Sequence, residues 1–247
     1  MDIWQQSFSV AFKDIDPSDR ITLGAVFEYF QEAAINHAEQ LGVGRESMAQ
    51  SGQVWILSRM SVLIERRPRY GERLSLRSWP RGEEKLFALR DYDIRDASDT
   101  PLVRGRSGWL IVDRERRRPL RPGDLVERLP LNQGLDALPR AMAALGAQDG
   151  LSRVGERRAV YSDIDYNRHV NNTRYIQWIQ DSTEASLLEQ AASMEFHINY
   201  LSEMKGGERT EVWSAPLPGA ASGFAFEGRR SDGGQLVFRA QLLLDPR

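Results

Sequence analysis

The chain has 247 residues, of which 41% are hydrophobic and 28% charged, and its formal net charge is −2. This balance is typical of a globular protein with a sizeable core, and it creates no chain-wide field that would attract nucleic acid or membranes. The chain has no cysteine, which excludes disulfides, thiolate metal sites and cysteine nucleophiles. The first residues show no signal-peptide pattern, and no apolar stretch approaches the ~20 residues of a membrane span, so we expect a soluble cytoplasmic protein.

The first half of the chain predicts a strand, a turn, a helix and four further strands. FSVAF at residues 8–12 has strand character, and the polar turn DIDPSDR follows it. Thr22 is a good N-cap for the helix that comes next. Apolar residues recur in that helix at the spacing of one buried face, namely Leu23, Val26, Phe27, Phe30, Ala34, His37 and Leu41. Four strand-like runs then begin with VWILSRMSVLIER at residues 54–66.

Residues 114–150 are rich in proline, glycine, leucine and charge, and they predict a linker with one short helix in PRAMAALGA. The linker begins with a basic run, RERRRPLRP at residues 114–122. This run either attracts an acidic partner or forms a solvated loop, and the solvated loop is the default interpretation. We therefore divide the chain into a first repeat (residues 1–113), a linker and a second repeat (residues 151–247).

The second half repeats the order of the first. RRAVY at residues 157–161 precedes the turn DIDYNRH, and Asn171 takes the capping place of Thr22. A weaker helical stripe follows, formed by Tyr175, Ile176, Ile179, Ser182 and Ser186. Four more strand-like runs come next, and GER recurs at the same point of both copies. A helix followed by antiparallel strands, present twice, predicts an α+β pseudo-dimer whose curved sheets join edge to edge.

Three polar residues at alternate positions of the second turn form a candidate catalytic group. Asp165 supplies a carboxylate, Asn167 an amide that donates and accepts, and His169 an imidazole, the side-chain type that exchanges protons near neutral pH. The helix N-terminus that follows adds free N–H groups and a partial positive charge, which favour a developing anion. The group therefore suits attack of water on a carbonyl-type centre, with the carboxylate or the imidazole as base.

The same residues have a second interpretation, which residue types alone leave open. Asp and Asn before a helix are ordinary turn and capping residues, and a histidine there can simply satisfy backbone groups. A metal site is less favoured, because no second histidine or acidic cluster stands at a ligand spacing. The sequence also contains no phosphate-binding glycine loop, GxSxG elbow or dinucleotide fingerprint.

The run Asp165-Tyr-Asn167-Arg-His169-Val-Asn171-Asn172, followed by TRYIQW, closely resembles the signature of the acyl–acyl carrier protein (acyl-ACP) thioesterases. The doubled layout and the linker position fit that family over nearly the whole chain. The resemblance implies a double hotdog, in which each tandem repeat is a long helix wrapped by a curved antiparallel sheet. It also implies hydrolysis, without metal or cofactor, of the thioester between a fatty acyl chain and the phosphopantetheine arm of acyl carrier protein in fatty acid biosynthesis.

The resemblance also implies roles for single residues. Asp165 acts as nucleophile or as general base on water, His169 polarises the thioester or shuttles a proton, and Asn167 orients the reacting groups. Asn171 and Asn199 are expected to support these three.

One departure from the family pattern lies on the next strand. Plant members carry a Glu-Cys pair there, and MEFHINYLSEM is expected to place Asn199 and Tyr200 at those positions. A cysteine nucleophile is then impossible and a second carboxylate is missing. Asn199 either holds a water through its amide or is a solvent-facing strand residue.

The first copy of the turn lacks the proposed chemistry. Ser18 and Arg20 stand where the second copy has Asn167 and His169, and Pro17 stiffens the turn. Arginine stays protonated and is a poor proton acceptor. We therefore predict one active site per chain, with the first half helping to form the acyl pocket.

The sequence also gives predictions for the two other histidines and leaves two alternative functions open. His37 is expected to be a core or pocket-lining residue, and His197 a structural or exposed strand residue. The rivals are an acyl-coenzyme A thioesterase of the same fold and a non-catalytic acyl-binding hotdog protein. Pairing into a homodimer stays open, because the doubled chain already supplies the usual hotdog dimer contact.

Overall fold

The computed structural model describes residues 2–130, 132, 134–142 and 144–246, apart from the side chains of residues 124 and 246. The first half contains β1 (Trp4–Ser9), α1 (Leu23–Gln40), α2 (Arg45–Gln50), β2 (Gln53–Ile64), β3 (Arg73–Glu84), β4 (Phe87–Arg95) and β5 (Pro101–Asp113). The connecting segment contains β6 (Arg118–Leu120) and α3 (Gly123–Glu127). The second half contains β7 (Ser152–Arg158), α4 (Asn172–Gln180), α5 (Ala185–Gln190), β8 (Ala191–Tyr200), β9 (Arg209–Pro216), β10 (Gly223–Arg230) and β11 (Leu236–Pro246).

The strands form one antiparallel sheet in the order β1-β3-β4-β5-β2-β8-β11-β10-β9-β7, with β6 paired to β5. The two halves meet where β2 pairs with β8, from Arg59 opposite Asn199 to Ile64 opposite Met194. Each half thereby covers the sheet edge that it would otherwise expose. The predicted joining of the two sheets edge to edge is confirmed.

The core lies between this curved sheet and the two helices that begin after the Asp-rich turns. The predicted apolar stripe of α1 is confirmed, because its residues from Leu23 to His37 are buried against the sheet. Phe27 of α1 meets Phe196 of the other half edge to face, with ring centroids 5.6 Å apart. Burial of each such large side chain contributes about 1.5–3 kcal/mol. A helix wrapped by a sheet, present twice, is the expected double hotdog.

Three local predictions differ from the structure. The first strand of each half lies upstream of its predicted place, because residues 12–14 and 161–163 form short 3-10 turns instead. The predicted second helix is interrupted after α4. Ser182 Oγ and Thr183 Oγ1 bind the carbonyls of Trp178 and Ile179, and these side-chain bonds compete with continuation of the helix.

The predicted linker helix PRAMAALGA is the third difference. Residues 139–142 and 144–147 are not helical, and residue 143 lies outside the described residues. The segment instead runs over the outer face of the sheet, where side chains of the strands bind its backbone. Arg106 donates to the carbonyl of Arg140, and Asn199 Oδ1 accepts from the N–H of Leu145 at 2.8 Å. Among the described helices, none has both the length and the apolar composition to cross a membrane.

Two histidines behave as the sequence predicts. His37 is fully buried in α1, where its Nδ1 lies 3.0 Å from Arg90. His197 of β8 lies 2.8 Å from Ser61 of β2 and 2.9 Å from Glu195, so it tightens the junction between the two halves.

Candidate active site

The second loop, which we define as residues 163–171, is organised by the carboxylate of Asp165. Its Oδ1 accepts hydrogen bonds from the N–H groups of Asn167 at 2.8 Å and His169 at 3.3 Å. The N–H of Asp165 donates to the carbonyl of His169, and Arg168 takes a positive φ of 64° to close the turn. One oxygen of Asp165 thus has the capping role that the residue types left open, and its other oxygen is not used in that role.

The first loop, residues 14–22, has the same main chain. Asp16 Oδ1 accepts from the N–H groups of Ser18 at 2.9 Å and Arg20 at 3.3 Å, and Asp19 takes the positive φ of 60°. The Asp-centred turn therefore belongs to the fold of both halves. The chemistry that distinguishes the second loop must come from the side chains around this turn.

The second loop leads directly into α4. Asn171 caps the helix, because its Oδ1 accepts from Thr173 N at 2.9 Å and from Thr173 Oγ1 at 3.0 Å. Thr173 N and Arg174 N both donate to Asn171, and the positive end of the helix dipole at this turn stabilises negative charge nearby.

His169 faces an acidic residue that the sequence analysis did not select. Its Nε2 lies 3.4 Å from Glu203 Oε2, and the side chains are 23% and 34% exposed. The same oxygen of Glu203 accepts a hydrogen bond from Arg117 of the β5–β6 turn at 3.0 Å. Arg230 donates to the backbone carbonyl of Glu203. An imidazole and a carboxylate are therefore adjacent and partly open to solvent.

The three predicted catalytic residues share one short loop, with different surroundings. Asp165 and His169 are partly buried, whereas Asn167 is exposed. In the described part of the chain, their side chains form no hydrogen bond to one another. Arg45 of α2 lies over the ring of Tyr166 at 4.3 Å, so the first half reaches the tip of the second loop.

Asn199 and Tyr200 point to opposite faces of β8, because successive strand residues alternate. Tyr200 donates to the carbonyl of Asn172 at the start of α4, at 3.2 Å. Asn199 binds the linker through Leu145 and is buried. Asn199 is therefore not the solvent-facing strand residue of the second alternative, and its amide oxygen anchors the linker.

The acidic residue beside the site is Glu203, and Met204 follows it. Glu203 has an equivalent in the first half of the chain. The repeated GER motif contains the signal that locates it. Counting back four residues from the glycine of each motif gives Arg67 in the first half and Glu203 in the second. Met204 accepts from Val170 N as Pro68 accepts from Ile21 N, which supports this equivalence.

Arg67 binds the aspartate of the first loop, whereas its equivalent Glu203 does not bind the aspartate of the second loop. Its side chain is 2% exposed, and it pairs with Asp16 Oδ2. It also donates to the carbonyls of Ile21 and Leu188. Burial raises the pKa of Asp16, but hydrogen bonds from Ser18 and Arg67 outweigh it, and the pKa is lowered overall. The first loop is therefore a satisfied ion-pair site.

A narrow cavity lies at the start of α4, between the two halves. The first half lines it with Phe27, Gln31, Tyr92 and Trp109, among others, and the second half with Asn172, Thr173 and Tyr200. On the outside, Asp165 borders an open groove together with Gly206 and Gly207. Within the described residues, no group of three or more metal-binding side chains comes together.

The fold and the site together define a double-hotdog protein with one polar loop of carboxylate, amide and imidazole at a helix N-terminus. The family model of the acyl-ACP thioesterase N-terminal domain matches residues 1–127, and that of the C-terminal domain matches residues 149–238. The chain belongs to the acyl-ACP thioesterase family.

Relatives of known name agree with this membership. The chain is 26% identical over 251 residues to the acyl-[acyl-carrier-protein] hydrolase FATB2, chloroplastic, of Cuphea viscosissima, covering 95% of this chain and 61% of that protein. It is 24% identical over 221 residues to the palmitoyl-acyl carrier protein thioesterase, chloroplastic, of Arabidopsis thaliana, covering 81% and 52%. The chain thus spans about half to three fifths of the length of these curated relatives.

Solved structures show the same fold. An acyl-ACP thioesterase from Bacteroides thetaiotaomicron superposes with a TM-score of 0.83 at 23% identity, covering 98% of both chains. The 12:0-ACP thioesterase from Umbellularia californica superposes with a TM-score of 0.83 at 22% identity, covering 99% of this chain and 98% of that one.

Proposed function

We propose that this protein hydrolyses fatty acyl thioesters of acyl carrier protein and releases free fatty acids. The observation that carries the proposal is the contact between Glu203 and His169, and His169 lies on the same loop as Asp165. Family membership supplies the substrate class. The first loop, with the same main chain and Arg67 in place of Glu203, has no such pair.

The chemistry follows from the groups at the second loop. Asp165 Oδ1 is held by two N–H groups, so Oδ2 is the oxygen that attacks the thioester carbon or removes a proton from water. His169, oriented by Glu203, delivers a proton to the leaving thiolate. The positive end of the α4 dipole stabilises the negative charge on the carbonyl oxygen. Asn167 orients the substrate from the exposed side of the loop. Nucleophilic and general-base roles of Asp165 both fit this arrangement.

The narrow cavity at the start of α4 is our candidate for the beginning of the acyl pocket. Its apolar walls come mainly from α1 and the first-half sheet, and its polar end lies at Asn172 and Thr173. A thioester at that polar end would place its acyl chain toward the first half. The groove beside Asp165 then offers a path for the carrier arm.

The test is thiol release from a chain-length series of acyl groups on acyl carrier protein and on coenzyme A. We expect release from acyl carrier protein by the wild type and a loss of about 10²-fold or more in His169→Ala. The matched control is His197→Ala, a histidine that is 19% exposed and also contacts a glutamate. Release from neither carrier would overturn the enzymatic function and favour the acyl-binding protein. Release from coenzyme A alone would replace the carrier-protein assignment.

The basic turn after β5 is our candidate for docking the carrier protein, because acyl carrier proteins as a class are acidic. Arg116 and Arg118 are exposed on it. Arg116→Glu/Arg118→Glu should raise the KM for acyl carrier protein substrates and leave the KM for an uncharged acyl-N-acetylcysteamine thioester unchanged. An unchanged KM for both substrates would identify the turn as a solvated loop.

A further inference from the structure

Glu203 contacts two basic side chains, one from the linker and one from the second half of the protein. Its Oε2 lies 3.0 Å from Arg117 Nη2 and 3.4 Å from His169 Nε2. Arg117 belongs to the β5–β6 turn, whereas Glu203 and His169 belong to the second half. A residue of the linker therefore touches the acidic partner of the proposed catalytic histidine.

The backbone around Arg117 is fixed by its own turn. Asp113 Oδ1 accepts from the N–H groups of Glu115 at 3.0 Å and Arg116 at 2.9 Å. Arg117 N donates to the carbonyl of Asp113 at 2.9 Å, and Arg117 itself has a positive φ of 53°. A non-glycine residue takes this conformation only where the surrounding structure stabilises it. The turn thus presents the guanidinium from a defined place.

The backbone of Glu203 is fixed as well, which leaves its side chain as the variable part. Arg230 holds its carbonyl, and the next residue, Met204, is fully buried and accepts from Val170 N at 2.8 Å. The Glu203 side chain is 34% exposed and has several rotamers of similar energy in water. The ion pair with Arg117 favours the rotamer of Glu203 that faces His169.

We propose that Arg117 is a positioning residue of the active site, which holds Glu203 against His169 and thereby makes the linker necessary for full turnover. This inference rests on the proposed function. Because Arg117 is 72% exposed, its ion pair adds little to the stability of the fold. Its removal therefore changes catalysis and leaves unfolding nearly unchanged. A docking role alone would change the KM for acyl carrier protein and leave kcat unchanged.

The experiment measures kcat and KM on an acyl-N-acetylcysteamine thioester, which bears no charge for a docking surface to recognise. In Arg117→Gln we expect kcat to fall about 2- to 5-fold with KM and Tm unchanged, because an exposed ion pair shifts the rotamer population of Glu203 by no more than about that factor. Arg117→Lys should recover part of kcat. The matched control is Arg209→Ala, which removes another exposed arginine paired with a glutamate at 2.8 Å, and which should keep the wild-type kcat.

A double-mutant comparison separates positioning from any independent effect of Arg117. If Arg117 acts through Glu203, Arg117→Gln/Glu203→Gln should have the kcat of Glu203→Gln alone. A wild-type kcat in Arg117→Gln, a change in KM only, or multiplied effects in the double variant would each overturn the inference while the proposed function stands. Absence of turnover by the wild type on every thioester would overturn the proposed function and this inference with it.

Discussion

Asp16 in the first loop and Asp165 in the second accept the same pair of main-chain hydrogen bonds, yet only Asp16 also binds a buried arginine. Arg67 satisfies the second oxygen of Asp16 and reaches the carbonyl of Leu188 in the other half. At the equivalent place the second half has Glu203, which turns to His169. A change from arginine to glutamate at one position accompanies the change from a closed loop to an open one.

The comparison shows that the Asp-Ile-Asp start of each loop is evidence for the fold and not for catalysis. The carboxylate organises the turn in both copies. Chemistry requires that its remaining oxygen be available and that a proton carrier stand beside it. Within the described residues, no hydrogen bond reaches the second oxygen of Asp165 and His169 lies in the same loop, whereas Arg67 binds the second oxygen of Asp16 and Arg20 stands in place of the histidine.

The largest expected effect concerns charge at the two equivalent aspartates. Asp165→Asn keeps an oxygen that can accept the two loop hydrogen bonds but removes the charge, so thioester turnover should fall about 10²- to 10⁴-fold. Asp16→Asn, measured at a temperature where it is folded, should keep the wild-type turnover. Turnover that survives in Asp165→Asn and is lost in Asp16→Asn would reverse the assignment of the loops.

The next prediction concerns the free energy of unfolding, which should depend more on Asp16 than on Asp165. Asp16→Ala leaves the buried guanidinium of Arg67 unpaired and should lower the free energy of unfolding by about 3 kcal/mol. Asp165→Ala loses only hydrogen bonds of a partly exposed turn, about 1 kcal/mol. Urea unfolding measures both variants. Adding Arg67→Met to Asp16→Ala should recover part of the loss, and failure to recover any would show that the unpaired charge is not the cause.

A smaller effect concerns the loss of stability as the pH falls, and it should arise in the first half. Burial and the nearby guanidinium of Arg90 lower the pKa of His37, with Asp2 opposing them. His37 is therefore neutral when folded, whereas the unfolded histidine takes up a proton below about pH 6.5. Its contribution is complete above that pH and is lost as the pH falls toward the folded pKa, with a slope of at most about 1.4 kcal/mol per pH unit. His37→Asn should flatten this slope in urea titrations between pH 7 and 5, and an unchanged slope would exclude His37 as its source.

The last prediction is that copying residues of the second loop into the first adds no thioester turnover. Ser18→Asn/Arg20→His copies the two distinctive residues of the second loop into the first, and we expect it to restore no turnover in a His169→Ala background. Arg67 would still occupy the second oxygen of Asp16, and no carboxylate would orient the new histidine. Measurable thiol release by this variant would show that the loop residues suffice without Glu203.

The repeated architecture could be predicted from sequence because it depends on patterns that survive in single residues. The α1 stripe, the capping residues Thr22 and Asn171 and the second GER motif are examples. The end of α4 could not be predicted, since it depends on hydroxyl groups that bind carbonyls of the last turn. The non-helical course of residues 139–142 and 144–147 depends on contacts with distant strands, which no local pattern records.

The candidate site was predicted in part. The loop and its three polar residues follow from the motif, and the structure places them at the start of α4 as expected. Glu203 was missed because the supporting position was assigned to Asn199 from the strand pattern alone. Alternation along the strand points Asn199 and Tyr200 to opposite faces. Arg117 was noticed only as part of a basic run, because its contact with Glu203 joins residues far apart in sequence.

The linker that crosses the outer face of the sheet has a consequence for symmetry. Two separate identical chains that met at β2 and β8 would have to present the same loop twice, since a two-fold interface relates every residue to its own copy. A covalent linker keeps the halves together at high effective concentration and releases each half from that identity. One half can then exchange a proton carrier for a buried ion pair without losing its partner. Fusion is thus the physical condition under which division of labour between two equal folds becomes possible.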